Sequence, residues 1–463
     1  MSESTTVLGR LASFVARSRV PSPARRLAAS AVFDTVGVTL AGASEPAARI
    51  VQSMAADEGG SGCRVLGTSL CVSASNAALA NGTAAHALDY DDMCFVSLAH
   101  PSAPLVAAAL AAAELGDASG AALLDGYVVG FEIEGRLGRA MNPRHYERGW
   151  HCTATIGTVG ATAAVSRILG LDEAATAHAL AIAASEASGL KENFGTMVKP
   201  LHAGLAARNA ILAAGLARRG LTASAQALDG RQGFLAAMDG EQRSFADTIA
   251  DLDERWELLD TGITVKLYPS CAGTHPTLDA LLDLRRAERF SGADIERIEV
   301  DVDSITPTVL IYDRPASGLE AKFSLPFCAA AAVLDGRVGI DTFEQARLTD
   351  PSLAALMSKV TMRVDPALDG IAPPLTQARL RVRLNDGRQL DASANGARGY
   401  PERPASDEEL ASKFLACAAR CLPRERAERA IAALQGMERA DHVRSLIDLL
   451  TAPTESLRAR SIG

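Results

Sequence analysis

The stretch from Asn81 to Pro104, NGTAAHALDYDDMCFVSLAHPSAP, reads as helix, polar loop, helix, and the rest of the chain follows from it. It opens as a small-residue helix with His86 and Asp89 three apart. It then passes through Asp89, Asp91 and Asp92, loses its helical period, and ends in His100-Pro101-Ser102, where an alanine-rich helix begins. A solvated helix end at Asp91 and Asp92, followed by a serine and prolines opening the next helix, is the plain reading. Two further features favour a functional one. His86 and Asp89 are helix neighbours, and a second imidazole follows in the loop, the kind of position at which a rigid scaffold presents polar chemistry.

Outward from this stretch, almost every segment between about 5 and 262 carries helical patterning. Pro23 opens a helix through Leu40, and others are expected over 45–58, 73–88, 103–115, 118–140, 152–169, 173–187 and 203–218, separated by Gly, Pro or Asp. Only Cys63–Leu66 looks extended. The run IGTVGATAA at 156–164 suits close helix packing rather than a phosphate loop. The texture changes after Tyr268. Residues 295–302 alternate with period two, and LRVRL-NDG-RQLDA over 380–392 is a hairpin signal. Helices are expected between them near 322–334, 342–347 and 351–359. Ser406 to Glu409 is a capping box that launches helices returning to the first bundle. The expected fold is therefore mainly α: a large all-helical domain (1–262 with 396–463) plus a smaller α+β domain (263–395).

Composition narrows the function. A length of 463 residues favours two domains, and a net charge of -9 offers no basic excess for nucleic acid. Aromatics at 4% are too few for a stacking platform or an aromatic-lined pocket. The 8 cysteines are scattered without zinc-like pairing, and they read as reduced thiols. No apolar run has the length of a membrane helix. Arg10, Arg17 and Arg19 with several serines faintly suggest a transit peptide, but Val7, Leu8, Leu11, Phe14 and Val15 form a helical stripe, so cytoplasm is expected.

Four more clusters carry chemistry: His151 at the mouth of a helix in GWHCT, Lys199 in GTMVKPLH, Lys266 in KLYPSCAGTH, and Tyr312 in IYDRP. Taken singly, each has a dull explanation. Together they place scarce lysines and histidines in loops beside polar neighbours. Proton abstraction beside a carboxylate needs this set, with cations to stabilise developing negative charge and groups near neutral pKa to carry the proton. No nicotinamide fingerprint, phosphate loop or HExxH motif is present, so chemistry without cofactor or metal is expected.

These motifs, AHALDYDD…AHPS, GWHCTATIG, GTMVKPLHAG and KLYPSC…HP, resemble in order and over nearly the whole chain the MmgE/PrpD family. That group includes 2-methylcitrate dehydratase, cis-aconitate decarboxylase and iminodisuccinate epimerase. The resemblance implies a homodimer and a metal-free, cofactor-free site between the two domains. It also implies that Asp89, His100 (the proton-exchanging histidine), His151, Lys199 and Lys266 occupy active-site positions, with Tyr312 at a further one.

Two positions depart from the decarboxylase pattern. Met93 stands where that branch has threonine, and Cys271 where it has histidine; the loop to His100 is one residue longer. These changes at substrate-reading positions argue against cis-aconitate itself. The reading is a cofactor-independent lyase, dehydratase or decarboxylase, of a small di- or tricarboxylate. His100 would be acid/base, Asp89 its partner, His151 a second donor, and Lys199 and Lys266 carboxylate clamps. The alternative is an epimerase or isomerase sharing the first proton abstraction. A Mg-diphosphate enzyme built on Asp89-Tyr90-Asp91-Asp92 and a non-catalytic scaffold are the remaining options.

Overall fold

The computed structural model describes residues 6–239, 245–371 and 375–452. Helices of seven residues or more are numbered in chain order. The bundle begins with α1 (Val7–Arg17), α2 (Ser22–Gly42), α3 (Pro46–Glu58), a short ribbon of β1 (Cys63–Arg64) and β2 (Cys71–Val72), and α4 (Ala74–His86). It continues with α5 (Ser102–Gly116), α6 (Gly120–Met141), α7 (Cys152–Ile168), α8 (Glu173–Glu186) and α9 (Val198–Ala217). Several helices, α5 and α7 most clearly, are apolar on nearly all sides because they are enclosed by others. Helices α2 and α3 form an apolar pair bent by 86°, and among the described residues no single helix is long and apolar enough to cross a membrane.

Small residues set the closest packing. Gly82 of α4 lies against α9, where an added Cβ would stand 2.9 Å from Ala203 O. A Cβ on Gly204 of α9 would collide with Thr83 Oγ1 and Leu79 O. Glycine is therefore required at this crossing, and its tightness carries the start of α9 up to the end of α4.

The second unit holds α10 (His275–Glu288), β3 (Ile295–Val302), α11 (Leu325–Asp335), α12 (Pro351–Met357), β4 (Val360–Val364), β5 (Gln377–Leu384) and β6 (Gln389–Asn395). Its sheet runs β4-β3-β5-β6. The hairpin β5–β6 pairs Leu380 with Ala392 and Val382 with Leu390. β5 alternates strictly, Leu380, Val382 and Leu384 buried and Arg379, Arg381 and Arg383 exposed, as a sheet with one wet face requires. Sequence reading missed two strands, the two-residue β2 and β4, the latter parallel to β3 with Val300 beside Met362. The five residues of β4 are mostly exposed at the sheet edge, so burial imposed no apolar period.

The chain then returns. α13 (Asp407–Ala418), opened by the Ser406–Glu409 capping box, packs on α2, followed by α14 (Arg424–Gln435) and α15 (Val443–Leu449). On this packing we propose the division 1–262 with 396–463 against 263–395; residues 1–5, 240–244 and 453–463 of the first unit and 372–374 of the second lie outside the described residues. One boundary differs from expectation in a way that matters. The helix expected from Ala203 begins at Val198, so Lys199 sits in a first helical turn and not in a loop. Pro200 did not end a helix there. It lies within the first turn, where its missing N–H costs nothing.

Candidate active site

Helix α4 ends at His86, and the chain leaves it through a left-handed residue, Asp89, with φ of 51°. This conformation is uncommon for a side chain other than glycine. It turns the acidic knot inward, leaving Asp89 3%, Asp91 0% and Asp92 0% exposed. The solvated-end reading of these aspartates is thereby set aside. Both Asp89 oxygens accept from ammonium groups, Oδ1 from Lys199 Nζ at 2.5 Å and Oδ2 from Lys266 Nζ at 2.9 Å.

The imidazoles close around this centre. Lys199 Nζ also lies 2.8 Å from His86 Nε2, whose Nδ1 is 2.7 Å from Asp91 Oδ2. His100 stands between the two carboxylates, Nε2 3.8 Å from Asp89 and Nδ1 3.5 Å from Asp91. These separations admit attraction but exceed a well-formed hydrogen bond. The His86 ring is 4.5 Å from His100 and 5.7 Å from His151 between centroids. His151 precedes α7, and its Nδ1 faces Nδ1 of His202 at 3.0 Å, so one of the two carries the proton.

Burial and charge set the protonation states. Burial opposes ionisation of Asp89, but Lys199 and Lys266 overcome it and hold the carboxyl well below its ordinary range. Burial is the first cause in lowering His100, with Lys266 and Lys199 adding to it; it likewise lowers His151, with Lys199 and His86 adding. Burial brings His202 down to about 4. His100, His151 and His202 are therefore neutral near pH 7, each a weaker base than a free imidazole and a stronger acid once protonated. Asp92 is pushed well above the carboxylate range by burial, and it accepts from Ser102 N–H at 3.2 Å.

The outer residues are placed unevenly. Cys271 is half-buried; burial first, then Asp89, pushes its thiol up to about 11. Tyr312 donates from its hydroxyl to Phe194 O at 3.0 Å, tying the smaller unit to the segment before α9. Phe194 in turn meets His151 edge-on at 5.0 Å, so Tyr312 borders the site through an intermediary. Met93 joins the apolar core at 7% exposure while its backbone pairs with Thr264, and its side chain has no place in the polar cluster. A thioether in a loop is as readily a core residue as a binding one.

His86, Asp89, Asp91 and His100 offer ligand atoms within 4.8 Å of one another, a spacing that could suit a metal ion. The chemistry of the set argues otherwise, because Lys199 and Lys266 already occupy both Asp89 oxygens and would repel a cation. A cavity of about 380 Å³ behind the cluster is lined by Leu88, Met197, Pro200, Lys322 and Phe343 among others. A cavity of about 700 Å³ runs past Phe95 and Leu98 but is lined by none of the titratable residues described above.

Sequence reading missed His202, Lys322, Lys413 and Asp34. A signal was present for the lysines. The chain has six, Lys191, Lys199, Lys266, Lys322, Lys359 and Lys413, among 46 basic residues, and four of them converge on the turn at Asp89.

The helical bundle, the α+β unit and a lysine-histidine-aspartate site at the end of α4 define a two-domain, mainly α protein. Residues 9–245 match the MmgE/PrpD N-terminal domain and residues 268–439 the MmgE/PrpD C-terminal domain. The chain belongs to the MmgE/PrpD family. It is 32% identical over 391 residues to human cis-aconitate decarboxylase, covering 82% of this chain and 79% of that protein. The mouse cis-aconitate decarboxylase is 31% identical over 395 residues, 82% and 78% of the two chains. A cis-aconitate decarboxylase of Aspergillus terreus is 26% identical over 476 residues, 98% and 96%.

Proposed function

We propose that the chain is a cofactor-independent lyase, a dehydratase or decarboxylase, acting on a small di- or tricarboxylate by proton transfer beside a carboxylate. The observation that carries this reading is a count of donors. An ammonium has three N–H groups. Among the described residues, Lys199 spends two on His86 and Asp89, and Lys266 two on the side chain and carbonyl of Asp89. Each keeps one donor free, in a buried centre where two ammoniums share a single carboxylate. A substrate carboxylate supplies both the missing charge and the missing acceptors.

In this reading Lys199 and Lys266 hold the substrate, and their charge stabilises the carbanion or enediolate that forms when a proton leaves carbon. His100 is the acid/base, neutral and ready to accept, with Asp89 and Asp91 on either side to stabilise the imidazolium it becomes. His151, its Nε2 without a partner among the described residues, is a second donor or binding group. Cys271, close enough to feel the charge of Asp89, and Tyr312, tied to Phe194, bear on substrate choice, whereas the Met93 side chain is packed in the core. The departure at Cys271 weighs against cis-aconitate. We further propose a homodimer in the cytoplasm, with neither membrane nor nucleic acid as a partner.

A second reading has its own support. His100 and His151 both lie near the His86 ring, at 4.5 Å and 5.7 Å between centroids, and a pair of bases in one site is what an epimerase that returns the proton to the opposite face requires. The deciding experiment incubates purified protein with a panel of di- and tricarboxylates in deuterated water. Loss of water or carbon dioxide supports the lyase. Deuterium incorporated with inversion and no elimination supports the epimerase, and no change in any carboxylate defeats both.

A further inference from the structure

The turn that holds Asp89 presents three successive carbonyls to three different lysines. Leu88 O accepts from Lys322 Nζ at 2.7 Å, Asp89 O from Lys266 Nζ at 2.9 Å, and Tyr90 O from Lys413 Nζ at 2.9 Å. These lysines come from the smaller unit, the crossing between the units, and the returning helix α13. Two of them reach the second site segment as well: Lys322 donates to Pro269 O at 2.9 Å and Lys413 to Lys266 O at 2.8 Å. Lys413 completes its three donors on Asp34 Oδ2 at 2.9 Å, and Lys322 places its third face over the Phe343 ring at 4.4 Å. Both are buried, at 6% and 3% exposure.

The geometry points to Lys322 and Lys413 as positioning residues that hold the segments 88–90 and 266–269 in mutual register, and through them Asp89 and Lys266. The inference rests on the proposed function for what the register serves. Three physical reasons support it. Carbonyls past a helix end lack intrahelical partners and must find others when buried. The negative end of the α4 dipole favours cations there. Consecutive carbonyls of a left-handed turn diverge, so one planar guanidinium fork cannot serve them, whereas separate ammoniums with tetrahedral donors can. In a chain with six lysines, the presence of four at this point accords with that requirement. Donor use also separates the roles. Lys413 has no N–H left and Lys322 presents its remaining face to Phe343 at 4.4 Å, while Lys199 and Lys266 each have one N–H without an acceptor among the described residues, that of Lys199 with Phe194 and Phe323 farther off at 5.4 Å and 5.3 Å.

The test uses the full chain and three variants: Lys322→Met; Asp34→Asn with Lys413→Met, which removes a buried ion pair as a unit and strands no charge; and Lys359→Met as a control. Lys359 donates to Ile295 O, away from the site. Amide hydrogen exchange in 87–92 and 265–270 and the NMR titration of His100 are read without ligand. Affinity for propane-1,2,3-tricarboxylate is read separately. We expect both site variants to stay folded, to exchange roughly tenfold or more faster in both segments, as loss of a charge-assisted hydrogen bond implies, and to shift the His100 titration. Probe affinity should fall by a similar factor, and Lys359→Met should change none of these. Folded variants with wild-type exchange and an unmoved His100 overturn the inference. If Lys322→Met does not fold, Lys322→Gln, which keeps a neutral NH2 donor group but loses the charge, gives the same readouts. Failure of the wild-type protein to bind the probe counts against the carboxylate reading alone, because the ligand-free readouts still decide the register.

Discussion

Two buried charge clusters lie on the helical unit, one at α6 and one at the end of α4 where the smaller unit meets it, and they are built differently. Around α6, Arg136 donates to Glu132 at 2.7 Å, to Asp251, to Thr248 O at 2.8 Å and to Arg255 O at 2.7 Å. Arg139 grips Glu257 with two nitrogens, at 2.5 Å and 2.8 Å. Planar forks meet planar carboxylates, and the arrangement staples the 248–261 segment to α6. At the end of α4 the cations are lysines, the neighbours are imidazoles, and polar atoms are left over: Asp91 Oδ1, His100 Nδ1 and His151 Nε2 are buried without hydrogen-bond partners among the described residues. A buried polar atom left unpaired is costly; such atoms occur elsewhere too, Glu134 Oε1 and Oε2 among them, so their presence alone does not mark a site. What separates the clusters is the donor: guanidinium forks matched to carboxylates on one side, ammoniums and imidazoles with spare capacity on the other.

The largest effect that should separate the clusters comes from Asp89→Ala. It leaves two buried ammoniums without their carboxylate, and about 3–5 kcal/mol of stability should be lost together with turnover. Denaturant unfolding and the carboxylate panel check it; a small stability loss would mean the lysines find other partners. Next in size, His100→Ala should lower turnover by about 10²–10⁴-fold with little change in the unfolding midpoint. A large stability loss without a kinetic defect would move His100 to the structural side of the comparison.

Arg139→Lys should do the reverse. A single ammonium cannot reproduce the two-nitrogen grip on Glu257, and about 1–3 kcal/mol should be lost while turnover per folded molecule is unchanged. Acid pH sharpens the contrast further. The folded pKa values of His86, His100 and His151 all lie below the ordinary 6.5. As pH falls through that value the unfolded chain binds protons that the folded chain refuses, so stability declines. Asp89, depressed when folded, contributes stability above its ordinary pKa of 3.8 and loses it as pH falls through the folded value. Midpoints measured from about pH 7 to about pH 5 should therefore fall, and less steeply in His151→Gln. The smallest effect concerns Cys271. With its thiol pushed up to about 11 it should alkylate slowly near pH 8, behind the exposed Cys71. Fast labelling would show that the site is more open than its burial indicates.

Much of this was legible in the chain. The helical bundle could be read because its helices are long, alanine-rich and punctuated, and the β5–β6 hairpin because Asn385-Asp386-Gly387 interrupts strict alternation. Local signals of this kind do not depend on distant partners. β4 could not be read, since an edge strand that buries little carries no apolar period. The start of α9 was misplaced because Pro200 signals a break in a chain and a beginning in a helix. Asp89, His100, His151, Lys199 and Lys266 were recognisable as chemistry by residue type and motif. Their meeting was not, because it depends on the glycine-lined crossing of α4 and α9 that brings Lys199 to Asp89.

The sequence by itself determined which residues can carry charge and protons, since that is a property of side-chain chemistry. It also set the two-part architecture, since hydrophobic period and turn residues act locally. Only the tertiary structure decided that Asp89 is shared by two lysines, that Lys322 and Lys413 stand behind it, and that His202 faces His151. Those contacts join residues tens to hundreds of positions apart, and their strength comes from burial, which no single stretch of the chain possesses before it folds.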